Sequence, residues 1–132
     1  MIFKKYPSAI DKSKVGKYDA LCKSGGGYFW DHVLEYRVWC HPEAGAPDNF
    51  EGEDYYHAFS EYRDALKFSK KIKGAEQPLV LIRQLEWIDE PEKGVLYHKK
   101  GERITEWLPE WLDEGARKEG EIERFIAQKT KC

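Results

Sequence analysis

A small α+β domain is the fold this sequence predicts: a mostly antiparallel sheet, one main helix at 61–73 and a C-terminal helix. Three observations predict it. Apolar and polar residues alternate from Val33 to His41, a capped run with helical spacing occupies 61–73, and β-rich runs separated by turn residues fill 77–107.

The elements are taken in chain order. The first 27 residues are weakly patterned and end in KSGGG, which reads as a flexible turn. In the first strand, Leu34, Tyr36, Val38 and Cys40 fall on one face and Val33, Glu35, Arg37, Trp39 and His41 on the other. HPEAGAPDNFEGED (41–54) is a long loop rich in Pro, Gly, Asn and Asp, and DYYHAF (54–59) is a short strand. Ser60 is the expected N-cap of the main helix, with Glu61 and Asp64 in its first turn. Tyr62, Ala65, Leu66, Ser69 and Ile72 recur at helical spacing, and Gly74 closes the helix. QPLVLIRQLEWI (77–88) is a long strand, DEPEKG a turn, and VLYHKK (95–100) and ERITEW (102–107) two short strands joined at Gly101. Pro109 suits the start of a short final helix. From Ala116 onward the chain is highly charged, and Ile122, Phe125, Ile126 and Ala127 form its one apolar stripe.

A chain of 132 residues is expected to be one domain, 1–115, with 116–132 as a charged helix or tail, exposed or partner-binding. Five Trp and eight Tyr are too many for a disordered chain. Acids number 24 and Lys plus Arg 22, interleaved throughout, which argues against a nucleic-acid or membrane-surface binder. Cys22, Cys40 and Cys132 make no CxxC, MIFKKYPSAI has no apolar core of a secretory signal, and no run is long enough to span a membrane. The expected setting is the cytoplasm, or delivery as an effector without a cleavable signal. His32, His41, His57 and His98 are dispersed without HxxxH or HExxH, so no metal ligand set is expected.

Three constellations can carry chemistry. Arg37 beside Trp39 on a sheet face can hold a phosphate bidentately while the indole stacks on a ring; alternatively, Glu35 simply neutralises Arg37 on a solvated face. Aromatic residues among Tyr55, Tyr56 and His57, which cannot all face inward, can line a pocket for a planar ligand; alternatively, Tyr55, His57 and Phe59 pack beneath the helix. Glu102 and Glu106 share one face of a late strand, where a carboxylate can act as a base or steady a developing positive charge, or can pair with a surface lysine.

In the order EYRVW, YYHAFSEYRDALKFS, PLVLIRQLEW, ERITEW, residues 33–108 resemble a minimal ADP-ribosyltransferase fold. That resemblance implies NAD as cofactor. Arg37, with Trp39 beside it, would grip the phosphates, Tyr56 with His57 would meet the nicotinamide, and Ser60 would be the helix-leading hydroxyl. Glu106, or Glu102, would stabilise the oxocarbenium-like ribose as nicotinamide leaves. A second resemblance spans most of the chain. GGGYFWDHVLEYRVWCHPEAGAPDNFEGEDYYHAF and PLVLIRQLEWIDEPEKG are similar to stretches of short proteobacterial proteins labelled GNAT-type N-acetyltransferases. That label implies acetyl-CoA, whose pyrophosphate turn would fall at Gly25 and Gly27, with Cys22 where Gln or Arg belongs. A third reading is a non-catalytic module that binds a protein partner through the C-terminal helix.

Overall fold

The computed structural model describes residues 5–19 and 29–130. Four strands form one sheet: β1 (His32–Cys40), β2 (Tyr55–Phe59), β3 (Leu79–Glu92) and β4 (Val95–Trp107). Their spatial order is β2-β1-β3-β4, and every neighbouring pair is antiparallel. Helix α1 (Tyr62–Lys71) follows β2, and helix α2 (Glu121–Thr130) ends the described chain. Short 3₁₀ turns lie at Lys12–Lys14, Pro42–Ala44 and Pro109–Glu114.

The expected α+β class is the observed one. One face of the sheet carries the apolar core, where Tyr36, Val38, Val80 and Ile82 pack with Ala65 of α1, Trp30 and Leu112. Burial of these side chains is the main stabilising term, at about 1.5–3 kcal/mol for each large apolar side chain. Tyr36 joins the core although it carries a hydroxyl, because that hydroxyl donates to the Pro7 carbonyl.

Several boundaries differ from the sequence expectation, each for a local reason. The main helix begins after Glu61, which holds the cap position; Ser60 lies outside it, and its carbonyl accepts the Ala9 amide at 2.8 Å. Gly74 closes this region with φ +82, and a Cβ there would stand 2.3 Å from the Ala46 nitrogen. Only glycine permits that approach, which lets the Gly74 carbonyl accept the His41 amide at 2.9 Å. The two short strands proposed at 95–100 and 102–107 are one strand. Gln84 pairs with Arg103 but Glu86 with Lys100, so Gly101 and Glu102 together oppose Leu85 in a β-bulge. Gly101, at φ +134, absorbs the bulge without ending the strand. The turn proposed over DEPEKG is tighter: pairing runs to Glu92↔Val95, leaving Lys93 and Gly94 as the loop.

A second bulge, between Val33 and Glu35, breaks the strict alternation of β1 and brings Val33 into the apolar core with Tyr36. The C-terminal segment is docked. Ile122 is fully buried, α2 contacts β3 and β4, and the Arg117 amide donates to the Trp30 carbonyl at 2.7 Å. Of the apolar stripe, Ile122 is taken out of water by this protein's own sheet, Phe125 and Ile126 are half-buried and Ala127 is exposed. No helix among the described residues is long and apolar enough to cross a membrane.

Candidate functional site

Behind the apolar core, the other face of the sheet gathers charges. Arg37 and Glu35 project from β1, Glu106 from β4, and all three are buried: Glu35 and Arg37 are 0% exposed and Glu106 is 6% exposed. The Arg37 guanidinium donates through Nε to Glu35 Oε2 at 2.7 Å and through Nη1 to Glu106 Oε2 at 3.3 Å. Its flat face lies over the Tyr56 ring, with 4.4 Å from Cζ to the centroid. Trp39 Nε1 donates to the Glu106 carboxylate at 3.1 Å, and the Trp39 and Tyr56 rings stand 4.9 Å apart.

Register explains the convergence. Trp39 pairs with Tyr56 across β1 and β2, Glu35 with Leu81 across β1 and β3, and Leu81 with Glu106 across β3 and β4. Side chains of paired residues share a face, so residues as far apart in sequence as Trp39 and Glu106 meet.

Residues 16–19 close this face. The Gly16 amide donates to Glu35 Oε1 at 2.8 Å, Arg37 Nη2 donates to the Asp19 carbonyl at 2.6 Å, and the Tyr56 hydroxyl donates to the Tyr18 carbonyl at 3.0 Å. Burial pushes the Tyr56 phenol above its ordinary value, opposed by Arg37 and reinforced by Glu35 and Glu106, so it stays protonated and able to donate. Tyr18 is shifted the same way, again by burial, and lies in the field of Arg83 and Glu102.

The sequence reading of Arg37 on a solvated face is therefore corrected: the face is closed. Its alternative partner, Glu35, is indeed bound to it. Of the residues proposed for a cofactor, Arg37, Trp39, Tyr56 and Glu106 come together and three do not. Glu102 lies at the β4 bulge, exposed and ion-paired with Arg83 at 3.0 Å. His57 pairs with Val38 on the core side, where its ring stands 4.7 Å from Phe68. Ser60 engages Ala9 through its backbone carbonyl. Cys22, Gly25 and Gly27, the residues on which an acetyl-CoA turn would rest, lie outside the described residues. Sequence reasoning missed residues 16–19, because the groups they contribute are backbone amides and carbonyls, which no residue type announces.

Among the described residues the site gathers one guanidinium and two carboxylates, all of them buried. Each buried ion is costly unless paired, and here every charged group has at least one partner of good geometry. The set is not an anion receptor as it stands: the Asp19 carbonyl already occupies Arg37 Nη2, and the carboxylates take Nε and Nη1. It is instead a carboxylate, Glu106, held by an indole N–H and a guanidinium beside an aromatic ring.

Two further polar clusters stand elsewhere. His41 is bracketed by Asp54 at 2.9 Å and Glu76 at 3.2 Å, and the hydrogen bond that its ring donates to Asp54 raises its pKa. The dispersed histidines suggested no metal ligands, yet Glu86, His98 and Glu123 meet from β3, β4 and α2 with ligand atoms within 4.8 Å of one another. His98 pairs with Glu86 at 2.8 Å through Nε2 and with Glu123 at 3.5 Å through Nδ1, and Arg117 holds the second Glu86 oxygen at 2.6 Å. As it stands it is an ion-pair network that ties α2 to the β3–β4 hairpin. Cys40 is buried and unpaired, and burial raises its thiol pKa, so it is a poor nucleophile.

Compared with protein-family models, curated proteins and solved structures, the chain matches none.

Proposed function

We propose that the domain binds a nucleotide cofactor and carries out ADP-ribosyltransferase-like chemistry, with Glu106 as the carboxylate that faces the ribose of NAD. The observation that carries this reading is the holding of the buried Glu106 carboxylate by Trp39 and Arg37 beside the Tyr56 ring. A carboxylate fixed in this way favours a reaction that develops positive charge. When the bond between ribose C1′ and the nicotinamide nitrogen breaks, the electron pair leaves with nicotinamide and C1′ becomes oxocarbenium-like. An acceptor nucleophile or water then bonds to C1′ and gives up its proton to bulk water. Glu106 stabilises the cationic centre, and Trp39 and Tyr56 supply the aromatic surfaces beside it.

Arg37 takes a different role from the phosphate grip that the resemblance implies. It is a positioning residue that orients Glu106 and Glu35. NAD reaches the site when residues 16–19 move off this face, giving up the contacts of the Gly16 amide with Glu35 and of the Tyr18 carbonyl with Tyr56. A reducing cytoplasm suits the unpaired thiol of Cys40.

The test is a calorimetric titration of the full chain with NAD, alongside chromatographic detection of released nicotinamide. The expected result is saturable binding with slow nicotinamide release. Glu106→Gln, which keeps an acceptor for the Trp39 N–H, should retain the wild-type melting temperature and lose turnover by at least 100-fold, the scale of a single electrostatic catalytic group. Absence of NAD binding by the wild-type chain, or undiminished turnover in Glu106→Gln, would overturn the proposal.

A further inference from the structure

We propose that His98 and Glu123 bind a divalent transition-metal cation of the zinc class, with Glu86 and Arg117 as the groups that aim the imidazole at it. The residues that meet here come from three elements: Glu86 from β3, His98 from β4 and Glu123 from α2. One ligand atom of each lies within 4.8 Å of the others. A bound cation would fasten α2 to the β3–β4 hairpin.

The neutral imidazole has one proton to share between two carboxylates. Nε2 lies 2.8 Å from Glu86 Oε1, and Nδ1 lies 3.5 Å from Glu123 Oε1. A neutral ring carries an N–H at one nitrogen and a lone pair at the other. The shorter contact has the length of a hydrogen bond and fixes the proton on Nε2. Nδ1 then turns its lone pair toward the Glu123 oxygen, an arrangement that is repulsive until a cation stands between them. Their separation of 3.5 Å is long for a hydrogen bond. It is near the ~3.4 Å that spans two donors bonded tetrahedrally to one ion at about 2.1 Å each.

Glu86 is held in its turn. Its second oxygen accepts from Arg117 Nη1 at 2.6 Å, and Arg117 is braced through Nη2 by Asp31 at 2.8 Å. An imidazole that donates its far N–H to a fixed carboxylate is the usual support of a metal-bound histidine. The His98 and Glu86 side chains are 18% and 21% exposed, whereas that of Glu123 is 53% exposed. The ion therefore meets a pre-set nitrogen on the protein side and an open approach from solvent, where water completes its coordination. An imidazole with a carboxylate selects zinc and its first-row neighbours, while magnesium and calcium take oxygen donors.

This site is independent of Glu106, and its test does not involve NAD. The full chain would be titrated calorimetrically with zinc chloride at about pH 7.5, where an ordinary imidazole is neutral. The expected outcome is saturable binding, reversed by EDTA, with no comparable response to magnesium chloride. Glu123→Gln, at an exposed position, should keep the wild-type melting temperature in EDTA and lose at least about tenfold in zinc affinity, and His98→Gln should lose as much. His41→Asn, and separately the pair Cys22→Ser with Cys132→Ser, remove donors outside the cluster and should leave the affinity unchanged. Nitrogen-15 NMR should find His98 protonated at Nε2 and should show its Nδ1 resonance move as zinc is added. No saturable zinc binding, undiminished affinity in Glu123→Gln, weakened affinity in His41→Asn or in the cysteine pair, or a His98 ring still protonated on both nitrogens in excess zinc would each overturn the proposal.

Discussion

Beneath α1, Tyr36, Val38, Val80 and Ile82 meet apolar neighbours. On the reverse of the same strands, Glu35, Arg37 and Glu106 meet one another, two aromatic residues and the backbone of residues 16–19. Both faces exclude water, and they differ in what happens when one member is lost. An apolar core tolerates small losses because its contacts are many and non-directional. The polar face depends on completeness, since removing one partner leaves a buried charge uncompensated. Costly groups of this kind concentrate at functional sites, which is why the polar face and not the larger apolar one holds the candidate site.

The largest expected effect breaks the polar face. Arg37→Ala removes the guanidinium from the buried Glu35 and Glu106 carboxylates and should cost about 3–5 kcal/mol in urea denaturation. A triple variant, Glu35→Leu, Arg37→Met and Glu106→Leu, should lose less than the single change, because it removes the charges together. A cost under about 1 kcal/mol for Arg37→Ala would mean an exposed ion pair and erase the contrast between the faces. Gly74→Ala comes next, at about 2 kcal/mol for the left-handed backbone and close contact together. Its cost tests whether the His41 loop depends on Gly74, and proteolytic susceptibility of residues 41–54 should rise with it. On the apolar face, Ile82→Val should cost only about 1 kcal/mol by the same denaturation measurement. Its mildness beside Arg37→Ala is the sharpest form of the comparison.

The smallest effect concerns His41, at the margin of both faces. Asp54 and, more weakly, Glu76 raise its folded pKa above the ordinary value of 6.5. The folded state therefore holds the proton more tightly than the unfolded chain. The stabilisation is full below about pH 6.5, the unfolded value, and is lost as pH rises through the higher folded pKa. Urea midpoints between pH 5 and 8 should fall slightly with rising pH, and His41→Asn should flatten that slope.

Much of the fold was legible in particular residues. The 3.6-residue recurrence from Tyr62 to Ile72 marked α1 to within two residues, and the apolar runs marked β1, β3 and both halves of β4. The bulges at Val33/Glu35 and opposite Leu85 were not legible, because the cost of an unpaired residue is decided by the partner strand. In the candidate site, Arg37, Trp39, Tyr56 and Glu106 stood out by residue type and strand position. His57 and Ser60 were misassigned because neighbours along a strand alternate faces and helix caps shift by one residue without changing composition.

By itself, then, the sequence determined the local elements, the α+β class and the chemical identity of the groups on each strand. Those come from short-range periodicity, capping and turn chemistry, which act over a few residues. Tertiary structure alone decided that Glu106 lies against Trp39, that residues 16–19 seal Arg37 from water, and that α2 docks on β3 and β4. These depend on register and on burial of one segment by another, and the free energy of either is settled only when distant parts of the chain meet.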